Sequence, residues 1–198
     1  YFKAEITPVS LTNRKGTQII DQDSGPSKAK PDKITSLKPV FTPSGTITAA
    51  TASFISDGAA AVLLSRKSIA EKHHETIEAT IRAHHTHAQA PEWFTTAPIQ
   101  AIEGVLKKSD WNKNDVDLFE INEAFAVVTM AAIKELDLPP EKVNIHGGAC
   151  VLGHPIGASG TRIVVTLIHA LKQNNLKKGI ACLCIGGGEA SALAIELN

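Results

Sequence analysis

The sequence predicts an α/β fold, a mixed sheet of five strands covered by helices on both faces. From residue 57 onward, apolar runs of strand length alternate with longer segments of helical period. The chain then closes on two adjacent strand-like runs flanking Gly186-Gly187-Gly188, and this ending makes the sheet mixed rather than wholly parallel. Residues 1–46 read differently. They hold five of the ten prolines and little periodicity, with turn signals at Asp23-Ser24-Gly25-Pro26 and Lys30-Pro31-Asp32, so they form an excursion from a larger domain.

Each element has its own reason. Residues 59–65 (AAAVLLS) are a short apolar run, expected as a buried strand, and residues 77–83 (IEATIRA) alternate as a strand with one wetter face. The three histidines that follow, His84, His85 and His87, invite a metal reading, but no cysteine or carboxylate cluster accompanies them, and a wetted or interface loop is expected. Residues 98–107 have helical spacing, with Pro98 tolerable at the start. Residues 116–121 (VDLFEI) read as a strand, and 124–136 as a helix apolar almost all round, hence buried in a large core. Residues 143–145 form a fifth, short strand. Residues 159–172 are amphipathic, with Ile163, Val164, Leu167, Ile168 and Leu171 on one face. Residues 180–185 (IACLCI) and 191–197 (SALAIEL) complete the sheet.

Composition excludes several classes of function. Twenty basic residues balance twenty acidic ones, so no net field favours nucleic acid or an anionic membrane. No stretch approaches the roughly 20 apolar residues needed to span a bilayer. The cysteines are Cys150, Cys182 and Cys184, an odd number with two members too close for an ordinary bridge, which points to a reducing compartment.

Chemistry concentrates in three segments at strand ends or glycine-rich turns, where sites in α/β sheets lie. They are Asn122-Glu123-Ala124-Phe125, the stretch from Gly147 to Gly160 containing Gly153-His154-Pro155, and Cys184-Ile185-Gly186-Gly187-Gly188. Glycines let a backbone aim N–H groups at a developing oxyanion. A histidine before proline is held out of the helical region. A cysteine beside exposed N–H groups is a candidate base or nucleophile. Singly, each has a structural reading: a satisfied histidine, an inert strand thiol, an asparagine helix cap, a glycine turn.

In combination and order, Asn-Glu-Ala-Phe, then Gly-Gly-Ala-x-x-x-Gly-His-Pro-x-Gly-Ala-Ser-Gly, then Cys-x-Gly-Gly-Gly resembles the thiolase family. Glu5-Ile6-Thr7-Pro8-Val9, Leu37-Lys38-Pro39-Val40-Phe41 and Ser56-Asp57-Gly58-Ala59-Ala60-Ala61 resemble it too, so the likeness runs over nearly the whole chain. It implies the C-terminal half of a thiolase fold in residues 76–198, a last strand and linker of the N-terminal half in 53–75, and the tail of a CoA-binding loop domain in 1–52. The activity implied is an acyltransferase that makes or cleaves 3-oxoacyl-CoA by ping-pong Claisen chemistry, within fatty-acid metabolism. No cofactor is implied, coenzyme A being substrate. Cytoplasmic location and a dimeric or tetrameric parent protein follow from the same likeness, with no nucleic-acid or membrane partner.

The resemblance also implies site roles. Cys184 matches the acid/base acting at the α-carbon of the acceptor acetyl-CoA. His154 matches the histidine that activates a nucleophilic cysteine and faces a thioester oxygen. Asn122 matches the residue holding a water of that oxyanion hole, and Gly186 the backbone donor of the other. Ser53, Phe41 and Phe125 fall at positions resembling contacts to coenzyme A. The nucleophilic cysteine itself is expected outside these 198 residues, so the chain alone should be inactive. Cys150, the rival, is expected as a packed thiol, and Cys182 on the strand face opposite Cys184. Thr51 and Phe54 depart from the family wording beside Ser53, and Phe94 stands where many bacterial members have methionine. The alternatives are a decarboxylating condensing enzyme of the same fold, and a non-catalytic CoA or lipid-carrier module.

Overall fold

A computed structural model describes residues 1–198. The N-terminal segment forms a small hairpin, β1 (Val9–Asn13) and β2 (Gly16–Ile20), joined by the turn Asn13-Arg14-Lys15-Gly16 and exposed at every position. The sequence reading missed it, because both faces are wet and the alternation of Val9 and Leu11 with Ser10 and Thr12 is too short to stand out. A short helix, α1 (Ser24–Lys28), and a 3₁₀ turn at Pro31–Ser36 follow.

Residues 59–65 form no strand. Leu63 is 94% exposed and Leu64 68%. A strand exists only where neighbouring backbone pairs with it, and no other segment reaches this run. Instead it lies along an apolar groove of about 1040 Å³, bounded opposite by the sheet and by a long helix. Helix α2 (Lys67–Lys72) leads into the main sheet.

That sheet has four hydrogen-bonded strands in the order β3-β6-β5-β4. They are β3 (Ala79–Ala88), β4 (Leu118–Ile121), β5 (Lys178–Ile185) and β6 (Glu189–Leu197). β4 and β5 are parallel; β5–β6 and β3–β6 are antiparallel. The expected fifth strand is reduced to one parallel bridge, Phe119 with Val143. The cause is local: Asn144 adopts positive φ and turns the chain away. Its side chain then takes over the pairing, accepting from Ile121 N (2.8 Å) and donating to Ile121 O (2.8 Å). β3 runs on through the three histidines, which are therefore strand residues and not a loop. His85 and His87 point to one face, half-buried, and His84 to the other.

Helices cover both faces. Between sheet and one side lie α3 (Ala97–Ser109) and α4 (Ala126–Leu136), which enclose a core with Ile102, Val105, Phe119, Ile121, Val128, Ala132, Ile180 and Cys182. On the other side, α6 (Ile156–Gln173) packs Ile163, Leu167 and Leu171 onto Leu118, Ala181 and Ile195. A one-turn helix, α5 (Ala149–Leu152), precedes α6. α4 is not buried all round as expected: Val128, Ala132 and Leu136 are enclosed, but Met130 is 64% exposed. Its opposite side meets no other part of the chain. No helix is long and apolar enough to cross a membrane.

Close approach decides one packing detail. A Cβ at Gly104 of α3 would lie 2.0 Å from the His85 ring, so the helix can sit on β3 only with glycine there. Gly104→Ala should therefore destabilise the chain by about 1–3 kcal/mol through overpacking. Urea unfolding measures the loss, and His85→Ala in the same chain should recover most of it. An unaltered midpoint for Gly104→Ala alone would show that α3 is free to shift.

Candidate active site

The site is assembled at the carboxyl edge of β4 and β5. Ile121 lies opposite Cys182 in the parallel register, and Asn122 N donates to Cys182 O at 2.9 Å. Asn122 thus leaves β4 where β5 has almost reached Cys184, one strand spacing of roughly 4.8 Å away. Phe125 stays extended, which is why α4 begins two residues later than its apolar pattern suggests. Residues 51–53 pair with this turn: Ala52 bridges Phe125, Ala126 N donates to Thr51 O (2.8 Å), and Ser53 N and Oγ both donate to Ala124 O (3.1 and 2.9 Å). The same segment then receives the second motif, since His154 N donates to Phe54 O at 3.1 Å.

Asn122 and His154 are brought together. Asn122 Nδ2 lies 3.4 Å from His154 Nε2, and His154 Nδ1 lies 2.6 Å from Ser159 Oγ, whose hydroxyl donates to Pro155 O (3.1 Å). Burial, and next the Arg162 charge, hold the His154 imidazole below its ordinary value, so the ring is neutral at pH 7. A neutral, fixed imidazole is a competent proton acceptor.

Cys184 is buried near the end of β5, opposite Ala190. Desolvation pushes its thiol up to about 11. It is therefore a protonated thiol at neutral pH, and its thiolate, once formed, is a strong base. Cys182 shares the same core as Cys184, against expectation. Alternate residues of a strand point to one face, so the partners on the other face are Ala181 and Leu183. Full burial drives the Cys182 thiol upward, and its sulfur faces Pro98 O at 3.9 Å. Cys150 is equally poor as a nucleophile: burial, and next the Glu123 carboxylate, push it up to about 12.

Gly186 occupies the β5–β6 turn, exposed, with its N–H donating to no group of the chain. The turn is held by Gly188, whose φ is +102° and where a Cβ would lie 2.2 Å from Gln89 O. Of the positions matched to coenzyme A contacts, Phe41 is 74% exposed and meets Phe125 edge-on at 6.5 Å, with Phe94 on the other side at 6.3 Å. Ser53 differs in kind, its hydroxyl being engaged by Ala124 O.

Sequence reasoning passed over a buried charged group behind Asn122. Arg162 Nη2 donates to Asn122 Oδ1 at 3.3 Å, and Nη1 stands 3.9 Å from Glu120 Oε2. Glu5 approaches from the N-terminal segment and accepts from Thr166 Oγ1 at 3.4 Å. The available signal was the lone arginine three residues after Ser159, on the same side of α6. Glu123 was also unassigned. Its carboxylate accepts from Asn144 Nδ2 (3.2 Å) and Cys150 N (3.1 Å), fixing the loop ahead of His154.

A neutral imidazole, an amide, a buried thiol and a glycine N–H with no partner in the chain stand around one edge of a mixed α/β sheet, groups able to accept and donate protons. Family comparison gives this arrangement its identity. The thiolase C-terminal domain family matches residues 75–197 and the thiolase N-terminal domain family residues 1–68. The chain belongs to the thiolase family. A probable acetyl-CoA acetyltransferase of Dictyostelium discoideum is 48% identical over 99% of this chain and 48% of its own length. A probable acetyl-CoA acyltransferase of Staphylococcus aureus is 43% identical over 98% of this chain and 50% of its own. Among solved structures, the Bacillus anthracis acetyl-CoA acetyltransferase superposes over the whole chain and half of its own, with TM-score 0.96 at 41% identity. Human mitochondrial 3-ketoacyl-CoA thiolase superposes over 96% of this chain and 49% of its own, with TM-score 0.87 at 33% identity. The chain spans about half the length of the curated relatives it matches.

Burial around Arg162 makes a pH prediction. Desolvation pushes Glu120 up to about 8 against the opposing pull of Arg162, and raises Glu5 as well. A carboxyl raised in the folded state contributes stability that is complete below its unfolded value and lost as pH climbs through the folded one. Urea unfolding at pH 5, 7 and 9 should therefore show stability falling with pH, and Glu120→Gln should flatten that fall. Parallel profiles for the two proteins would mean that Glu120 ionises freely.

Proposed function

We propose that this chain carries the proton-handling part of an enzyme that makes or cleaves 3-oxoacyl-CoA, acetoacetyl-CoA from two acetyl-CoA being the simplest case. The observation that carries the reading is the contact of Asn122 with His154 at the sheet edge where Cys184 lies one residue before the end of β5, in a chain belonging to the thiolase family. Claisen chemistry builds negative charge on thioester oxygens, and fixed donors at those points supply the largest catalytic term.

In the condensing direction, the Cys184 thiolate removes a proton from the α-carbon of acetyl-CoA. The resulting enolate attacks an acyl group held as a thioester on a nucleophilic cysteine, which leaves as thiolate. In the cleaving direction, the protonated Cys184 thiol returns that proton to carbon, and its value near 11 keeps it loaded for this at neutral pH. His154 accepts the nucleophile's proton through Nε2, and the protonated ring then donates to a thioester oxygen. Gly186 N–H serves the second oxyanion. The nucleophile belongs to the portion of the relatives that these residues do not span. Phe41 and Phe125 line the approach of coenzyme A, and Ser53 acts by bracing the Ala124 turn. We further propose a cytoplasmic protein that works as a dimer or tetramer, on the family likeness and the three free cysteines.

Three outcomes are expected. The 198 residues alone should show no turnover of acetoacetyl-CoA with CoA, and a thiolase N-terminal half supplied with them should restore it. Turnover by the 198 residues alone would mean the nucleophile is misassigned. In the complete enzyme, Cys184→Ser should abolish condensation while burst labelling by acetyl-CoA persists, because only the α-proton step uses this thiol. His154→Asn should depress both half-reactions, by on the order of 10²–10³ if one oxyanion donor is lost. A rate within tenfold of wild type would reduce His154 to a structural role.

A further inference from the structure

We propose that Arg162 is a positioning residue: by donating to Asn122 Oδ1 it fixes the Asn122 amide with its NH₂ toward His154, and so holds the neutral ring as the Nδ1–H tautomer with the Nε2 lone pair facing the site.

One hydrogen-bonded chain links Arg162 to Pro155 through Asn122, His154 and Ser159. Arginine has only donors, so the atom of Asn122 that faces Arg162 Nη2 at 3.3 Å is the amide oxygen. The amide nitrogen is thereby turned to His154 Nε2, 3.4 Å away, and a donor there requires a lone pair on that ring nitrogen. At the far end, the single Ser159 hydroxyl proton has two acceptors in reach, Pro155 O at 3.1 Å and His154 Nδ1 at 2.6 Å. Because a bare Nε2 leaves the ring proton on Nδ1, the hydroxyl turns to Pro155 O. Ser159 Oγ must then accept from His154 Nδ1–H at 2.6 Å. The Asn122 end selects the tautomer, and the Ser159 hydroxyl accommodates it. Without Arg162 the amide could present either atom to the ring, since its two orientations differ little in shape.

The surroundings of Arg162 offer it little else. Arg162 is largely enclosed, its distance of 3.9 Å to Glu120 is too long for a hydrogen bond, and Nη1 has no hydrogen-bond partner. Its one bond within the site is to Asn122, so stability alone gives little reason to bury a guanidinium here. The consequence for catalysis rests on the proposed function, because only a proton-accepting role for Nε2 makes the tautomer matter. The tautomer itself does not depend on that reading.

The test is therefore spectroscopic and needs no substrate. Long-range ¹H–¹⁵N spectra of the 198-residue chain near pH 7.5 report both ring nitrogens of each histidine, with His154→Gln identifying the relevant pair. The wild type should show Nδ1 protonated and Nε2 bare. Arg162→Met should give a mixture of tautomers and move the His154 titration upward as the guanidinium charge departs, burial still holding it down. Arg162→Lys, still a donor-only cation, should restore the wild-type pattern. An Nε2–H ring in the wild type, or an undisturbed tautomer in Arg162→Met, overturns the proposal. Should Arg162→Met fail to fold, the wild-type and Arg162→Lys spectra still decide, because an Nε2–H ring in either is incompatible with it. Loss of the enzyme reading through the activity assays would leave these spectra unaffected, so the two failures are separable.

Discussion

Parallel pairing of β4 with β5 is the constraint from which the site follows. One register, Ile121 opposite Cys182, sets Asn122 and Cys184 at a common edge and leaves the glycine turn just beyond them. A slip of one residue would reverse every side chain of β4. That is forbidden because all four of its residues are buried, with Phe119 and Ile121 in one core and Leu118 in the other. Packing on both faces thus defends a geometry whose use is chemical.

Residues 51–54 supply the second support. They bind the Asn122–Phe125 turn through Ala124 and Phe125, and the His154 turn through Phe54 O. Two motif residues thirty-two positions apart, Asn122 and His154, are thereby tied to one extended segment, and the distance between them is set by that common brace. Ser53 is explained by this bracing, as its hydroxyl serves Ala124 O.

Much of this was legible in the sequence, for reasons that also explain what was not. β5, β6, α3 and α6 announce themselves by apolar period, because each buries a face within these residues. The run 59–65 has strand composition but no backbone to pair with, and α4 has the composition of a buried helix with only one side covered. Composition reports the environment a segment is suited to, and here part of that environment lies elsewhere. The exposed β1–β2 hairpin carries only the short alternation of Val9 and Leu11, and Asn144 replaced a strand with side-chain bonds that periodicity cannot register. Within the site, Asn122, His154, Cys184 and Gly186 were visible as motif residues. Arg162, Ser159 and Glu120 act through other side chains, so only their contacts reveal them. The placement of Cys182 was misjudged for a simpler reason: residues two apart on a strand share a face.

The glycine turn carries one further consequence. Gly188 is pinned against Gln89 O, and Gln89 N in turn donates to Gly188 O at 3.0 Å. The loop presenting the Gly186 N–H is thus anchored to the end of β3 before any ligand arrives. In the role proposed for Gly186, a dipole already aimed would not have to rotate as charge develops on a thioester oxygen, so the reorganisation that water undergoes would be absent. Ordering this donor was completed when the chain folded, and its effect should therefore appear in the rate of the chemical step more than in the affinity for substrate.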